Sequence, residues 1–310
     1  MASSSAYIMA HGARALVCAA LVCTGLGCAV LGCAGGPSHD AVMRSEREYD
    51  LGRGLYGEGD VPGAFEHLLD AVELDPDNAE AHLLLANLFF LNRSDYERAE
   101  HHFREALRAA EHSDQRAGLP SDARNSLGVM YIHMERCQDA IEVLRASASD
   151  LMNHEPGLAR ANLGWAYIEC GDRQAAIEVL TSAVQQAPQL CVAWYRLAQV
   201  RLSQDQLDRA DEAVTRAVDV EDPTCQRMQA GWRLRGEIRA RLDHRTEAIH
   251  DLERCVELSP DNEDGRACQR LLDSTGPEPD EDPGSAEDPS EEKWGGGSKT
   301  IRGSSVIRSI

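Results

Sequence analysis

The feature that most constrains this chain is the order of small and large residues in "ARANLGWAYIECGDRQAAIEVLTSAVQQAP", from Ala159 to Pro188. Leu163, Gly164 and Tyr167 mark its first half, Ala176, Leu180 and Ala183 its second, and Pro188 closes it. Small residues at the Gly164, Ala176 and Ala183 positions let two helices approach closely, and large ones fill the space between them. The proline stops the second helix. A chain that repeats such a unit stacks its helix pairs around one continuous core, so the period outweighs local preferences.

The markers return along the chain. A first unit starts near Ser45 with Leu51, Gly52, Leu55, Ala64, Leu68, Ala71 and Pro76, and a second near Ala79 with Leu85, Ala86, Phe89, Ala99, Phe103 and Ala106 after a one-residue insertion. A third starts near Ser121 with Leu127, Gly128, Tyr131, Ala140, Leu144 and Ser147, and the quoted segment is the fourth. The fifth carries Trp194, Leu197, Ala198, Ala210, Val214 and Ala217; the sixth carries Trp232, Gly236, Ala248, Leu252, Cys255 and Pro260. This pattern of about 34 residues resembles the tetratricopeptide repeat (TPR). The fold class expected is all-α, a TPR superhelical solenoid of about six helix pairs over residues 45–273, with Asp261 to Asp273 as a capping helix over the last apolar face, roughly thirteen helices in all. An aromatic content of 5% suits stacked helices better than strands. The longer junctions "EHSDQRAGLPSD" and "LMNHEP" are places where the superhelix is expected to kink.

Residues 1–32 read as an export signal: a short polar stretch ending in Arg14, an apolar run from Ala15 to Gly32, and a break at "GGPSHD". The run is barely long enough to span a bilayer. Its end, "VLGC", resembles the lipobox of bacterial lipoproteins, in which the cysteine is acylated and becomes the first mature residue, here Cys33. "GLGC" at Cys28 is weaker, because Gly25 stands where Val30 supplies a branched residue. Two or three acyl chains, at about 0.8 kcal/mol per buried methylene, hold a protein firmly to a bilayer. Ala34 follows the anchor, which favours the periplasmic face of an outer membrane; residues 33–44 are then a linker. The other end, 274–310, is an acidic, Pro/Gly-rich tail with eight acids in "STGPEPDEDPGSAEDPSEE", expected to be disordered.

With 52 acidic against 31 basic side chains the formal net charge is -21, so a nucleic-acid partner held by bulk electrostatics is excluded. No GxxxxGK[ST] loop, HExxH helix or GxSxG elbow is present, and neither the adjacent His101 and His102 nor His133 with Cys137 makes a metal set, so no enzyme, metal or cofactor is expected. Six cysteines besides Cys33 remain after signal removal, and an even count in an exported chain points to disulfides. Cys137 and Cys170 fall in the turns of neighbouring repeats, Cys191 and Cys225 at the starts of successive first helices, and Cys255 opposite the cap that carries Cys268. The pairs 137–170, 191–225 and 255–268 follow, each contributing on the order of 3 kcal/mol in the chain-entropy model.

Function in a solenoid lies mainly on the concave face made by the first helix of each pair. The fifth, ninth and twelfth positions share one face of that helix. They hold Tyr49, Arg53 and Tyr56; Leu83, Asn87 and Phe90; Asn125, Val129 and Ile132; Trp165 and Ile168; and Tyr195, Gln199 and Leu202. A strip so rich in large apolar groups suits a protein or peptide partner.

Lipobox, repeat number and the consecutive "NSLGVMYIHMERCQDAIEVL" and "ANLGWAYIECGDRQAAIEVL", each with a turn cysteine, together resemble the type IV pilus pilotins of the PilF, PilW and Tgl kind. The resemblance implies an outer-membrane lipoprotein that escorts the pilus secretin and promotes its multimerisation, and a disulfide that can join the third and fourth repeats. The acidic tail and the wide junction after the second repeat depart from that family. The other reading is a generic envelope adaptor, for peptidoglycan enzymes or a gliding-motility complex, with the tail as its contact.

Overall fold

The computed structural model describes residues 36–111 and 118–276. The signal, Cys33 and the tail from 277 onward lie outside the described residues. Within them the chain forms fourteen helices and no strands. Six consecutive pairs are α1 (His39–Glu58) with α2 (Val61–Leu74), α3 (Ala79–Arg93) with α4 (Tyr96–Ala110), α5 (Leu119–His133) with α6 (Cys137–Ser149), α7 (Pro156–Glu169) with α8 (Arg173–Gln186), α9 (Cys191–Ser203) with α10 (Leu207–Val218), and, after the single turn α11 (Pro223–Gln226), α12 (Gln229–Arg241) with α13 (Arg245–Leu258). A last helix, α14 (Glu263–Thr275), packs on α13 and α12. Each helix packs on its partner in the pair and on the next pair along, which is the architecture of a TPR solenoid.

The glycine markers act by close approach. A Cβ built on Gly164 falls 2.4 Å from Leu180 Cγ, and one on Gly128 falls 2.4 Å from Leu144 Cγ, distances no packed carbon tolerates. In the fifth pair Ala198 faces this layer together with the smaller Val214, both fully buried. Volume is therefore exchanged between the two helices.

Each turn from the first to the second helix of a pair contains one residue in the left-handed region: Gly59 (φ 87), Ser94 (φ 51), Glu135 (φ 57), Gly171 (φ 79), Asp205 (φ 59) and Asp243 (φ 62). The next amide then donates to a carbonyl five residues back, as Asp60 to Leu55, Arg136 to Tyr131 and Asp172 to Tyr167. In the second pair the bond runs from Asp95 to Phe89, one residue further, which absorbs the insertion without moving α4 out of register.

Two expectations about boundaries are corrected. The linker expected over 33–44 is helical from His39, because Ser38 caps the helix by accepting from the Ala41 amide and Asp40 sits in its first turn. Cys225 does not open the sixth first helix. It sits in α11, a separate turn that Asp222 caps at Thr224 and Cys225 and Pro223 starts, so α12 begins only at Gln229.

Candidate functional site

The first helices of the pairs, α1, α3, α5, α7, α9 and α12, line one side of the solenoid. Across it runs a chain of ring contacts with one side chain from each of four successive pairs. Phe90 lies 5.5 Å from the His133 ring, His133 meets Trp165 edge-on at 5.4 Å, and the Arg196 guanidinium covers Trp165 at 4.6 Å. Beneath the last three runs a polar ladder: Arg196 Nη1 donates to Asn162 Oδ1 at 2.6 Å, and Asn162 Nδ2 donates to Asn125 Oδ1 at 2.8 Å. Trp165 Nε1 donates to Glu169, which fixes the indole plane. Further along, Gln199 donates to the Tyr195 hydroxyl at 3.1 Å, and burial pushes the Tyr195 phenol above its ordinary pKa.

The expected strip divides in two. Tyr49, Tyr56, Leu83, Asn87, Asn125, Val129, Trp165, Ile168, Tyr195, Gln199 and Leu202 are half-buried, and Arg53 is exposed, paired with Asp50 and set 5.6 Å from the Tyr49 ring. Phe90 and Ile132 are corrected: only 9% and 7% exposed, they belong to the main core, packed with the large side chains of the second and third pairs, unlike Tyr56, Ile168 and Leu202 at the same position. His133, Asn162 and Arg196 were missed. Asn162 and Arg196 occupy the sixth position of their repeats, one step from the fifth on the same side of the helix, and a polar residue at each of these successive sixth positions was the available signal.

Cysteines separate similarly. Cys191 is bonded to Cys225 and Cys255 to Cys268. Cys137 and Cys170 are free thiols in hydrogen-bonding contact, so the 137–170 bond expected above is absent; the turns bring the two sulfurs together without joining them. Burial, followed by the Cys137 thiol, pushes the Cys170 thiol up to about 12, which disfavours its thiolate. Among the described residues no group of three His, Cys, Asp or Glu side chains is arranged to hold a metal, and no helix is long and apolar enough to cross a membrane.

Family models of the tetratricopeptide repeat match residues 49–114, 90–151, 159–190 and 232–262. The chain belongs to the tetratricopeptide-repeat family. Repeats of this kind serve in general as protein-interaction modules rather than as enzymes. No curated protein matches by sequence. Among solved structures, PilF of Pseudomonas aeruginosa is similar with a TM-score of 0.60 and 17% identity over 75% of this chain and 100% of its own. PilW, a widely conserved type IV pilus biogenesis factor, gives 0.61 and 19% over 73% and 98%. A chain of the APC/C hetero-tetramer Cut9–Hcn1 gives 0.60 and 15% over 76% of this chain but 43% of that one. At these identities the likeness is one of fold.

Proposed function

We propose that this TPR protein is a lipoprotein pilotin: acylated at Cys33, it is held on the periplasmic face of an outer membrane, where it localises the type IV pilus secretin and promotes its assembly. The observation that carries the reading is the groove, in which Trp165 and Tyr195 are half-buried beside the Asn162–Asn125 ladder and the Gln199 amide. Large apolar rings edged by hydrogen-bonding groups suit an extended protein segment. Anchoring is supported by "VLGC" and by the two disulfides, which persist in oxidising compartments. Pilus assembly is supported by fold likeness to PilF and PilW over nearly their whole lengths.

Deletion of the gene is expected to abolish heat-resistant secretin multimers on immunoblots, with restoration by the intact chain and not by Cys33→Ala, which should leave the outer-membrane fraction. Intact multimers in the deletion strain sink the pilotin reading in favour of an adaptor for another envelope complex.

A further inference from the structure

The first helices of successive pairs share a stripe that α1 alone leaves bare. Leu51 holds the repeat position of Leu85, Leu127, Leu163 and Leu197, each of them buried, yet it is 52% exposed. Four residues before that position stand Ala81, Ala123, Ala159 and Ala193, all buried, and in α12 Gly231, where a Cβ would fall 2.9 Å from Val218 Cγ1 at the end of α10. Three residues after it stand Leu88, Met130, Ala166, Val200 and Ile238, all fully buried. The stripe is thus the seat of the preceding pair, and among the described residues no pair precedes α1. On α1 the three positions are Arg47, Leu51 and Gly54, all exposed, with Met43 exposed one turn earlier and Asp50 beside Leu51. Arg47 suits an edge that faces water, but the rest of the stripe does not. Gly54 has nothing within 4 Å of a built Cβ, and neither has Gly57 one turn on. No packing among the described residues therefore calls for glycines that weaken the helix relative to alanine. Met43 and Leu51 stand in water beside that hollow.

We infer that a second copy of this chain covers the stripe, the two α1 helices packing antiparallel about a two-fold axis between Glu48 and Tyr49. Positions 43, 47, 50 and 54 are spaced four, three and four apart, the spacing of a seam along which two helices pack side by side. Reversing α1 about that axis sets Met43 over Gly54 of the second copy and Arg47 beside Asp50 of the second copy, and the symmetry makes each contact twice. One face therefore supplies both the knob and the hollow, and both signs of charge. Arg47 has no ion pair among the described residues, and Asp50 bonds only the exposed Arg53, at 3.2 Å. One helix from each copy is small against the roughly 1,200–2,000 Å² of a stable interface, so the pair is weak in dilute solution and tightens where copies are confined together. Tyr49, Arg53 and Tyr56 lie on another side of α1, so the pairing leaves the groove open.

The test is oxidative cross-linking of full chains in cells. One copy carries Met43→Cys and another, differently tagged, carries Gly54→Cys, both with Cys137→Ser and Cys170→Ser to remove the free thiols of the solenoid. A mixed dimer on non-reducing gels is expected, several-fold above the product of either variant alone. In the antiparallel register two copies of residue 43 lie about 16 Å apart along the helix axis, beyond the reach of a disulfide. A second arm needs no cysteine. Sedimentation of the purified full chain is expected to show a dissociation constant raised roughly tenfold by Arg47→Glu and by Asp50→Arg, and returned to the native value by the two together, which restore both charge pairs. Both positions are exposed, so these substitutions leave the fold intact. Equal product from Met43→Cys alone, or a chain that sediments as a monomer at every concentration, overturns the pairing. A double swap that stays weak overturns the register. If Gly54→Cys is shielded from maleimide in cells while no cross-link between copies forms, another molecule occupies the stripe and the second copy is rejected.

Discussion

The two halves of the solenoid share one repeat and are held together by different means. From α9 to α14 the chain is cross-linked: Cys191–Cys225 ties α9 to α11, and Cys255–Cys268 ties α13 to the cap. Between them Asp251, fully buried, accepts from Arg235 at 2.7 and 2.9 Å and from Arg239 at 2.8 Å, and Arg239 continues to Asp211 on α10. From α1 to α8 no covalent bond joins the helices, and the two thiols available stay free. What lies buried there is a neutral histidine pair. His82 Nε2 faces the Pro76 carbonyl at 3.2 Å as donor, so its Nδ1 is the acceptor for His102 Nδ1–H at 2.9 Å, with Phe89 stacked parallel to His102. The difference teaches that one repeat geometry can be held by cross-links and a buried ion network in one half and by packing alone in the other.

Among single substitutions the comparison is broken most severely at Asp251. Asp251→Ala leaves Arg235 and Arg239 buried without a counter-charge and is expected to cost about 3–5 kcal/mol, read as a lowered midpoint in urea with early exposure of α12 and α13 by hydrogen exchange. Reduction is next. Opening both disulfides should cost about 3 kcal/mol for each loop and release α14 and α11, whose amides exchange faster while those of α3 to α8 do not change; equal loss of protection in both halves would refute the division.

Acid sharpens it from the other side. Burial lowers both histidine pKa values, His102 to about 4, with His101 adding to the effect and Glu105 opposing it. Arg98 and Arg108 also face the pair and lower the values further. The unfolded chain takes up these protons near pH 6.5, the folded His102 only near 4 and the folded His82 below its ordinary value, so the unfolded state holds more protons in between. Stability should be constant above about pH 6.5 and fall as pH drops to 4, by on the order of 2 kcal/mol, with α3 and α4 opening first. His102→Gln should remove most of that slope.

Much of this could be read in the order of residues, for a physical reason. Gly128, Gly164 and their counterparts report a local fact, the contact of two consecutive helices, and a contact that recurs at constant spacing is visible in one dimension. The left-handed turn positions are less legible, since Glu135, Asp205 and Asp243 stand where Gly59 and Gly171 mark the same conformation. The site was legible in outline only. Positions five, nine and twelve fall on one helix face, yet whether Phe90 faces a ligand or the core depends on how closely the next helix approaches.

By itself, the sequence determined the helix pairs, their number and order, the cap, and the lack of any charge balance suited to nucleic acid, because each follows from spacing within about one repeat or from composition. Tertiary structure alone decided that Cys137 and Cys170 stay unjoined, that Cys225 sits on a turn of its own, that Phe90 and Ile132 belong to the core, and that Arg196 rests on Trp165 with no acid beside it. Those are distances between side chains on different repeats, and they depend on the rise and twist from one pair to the next, which no single repeat encodes.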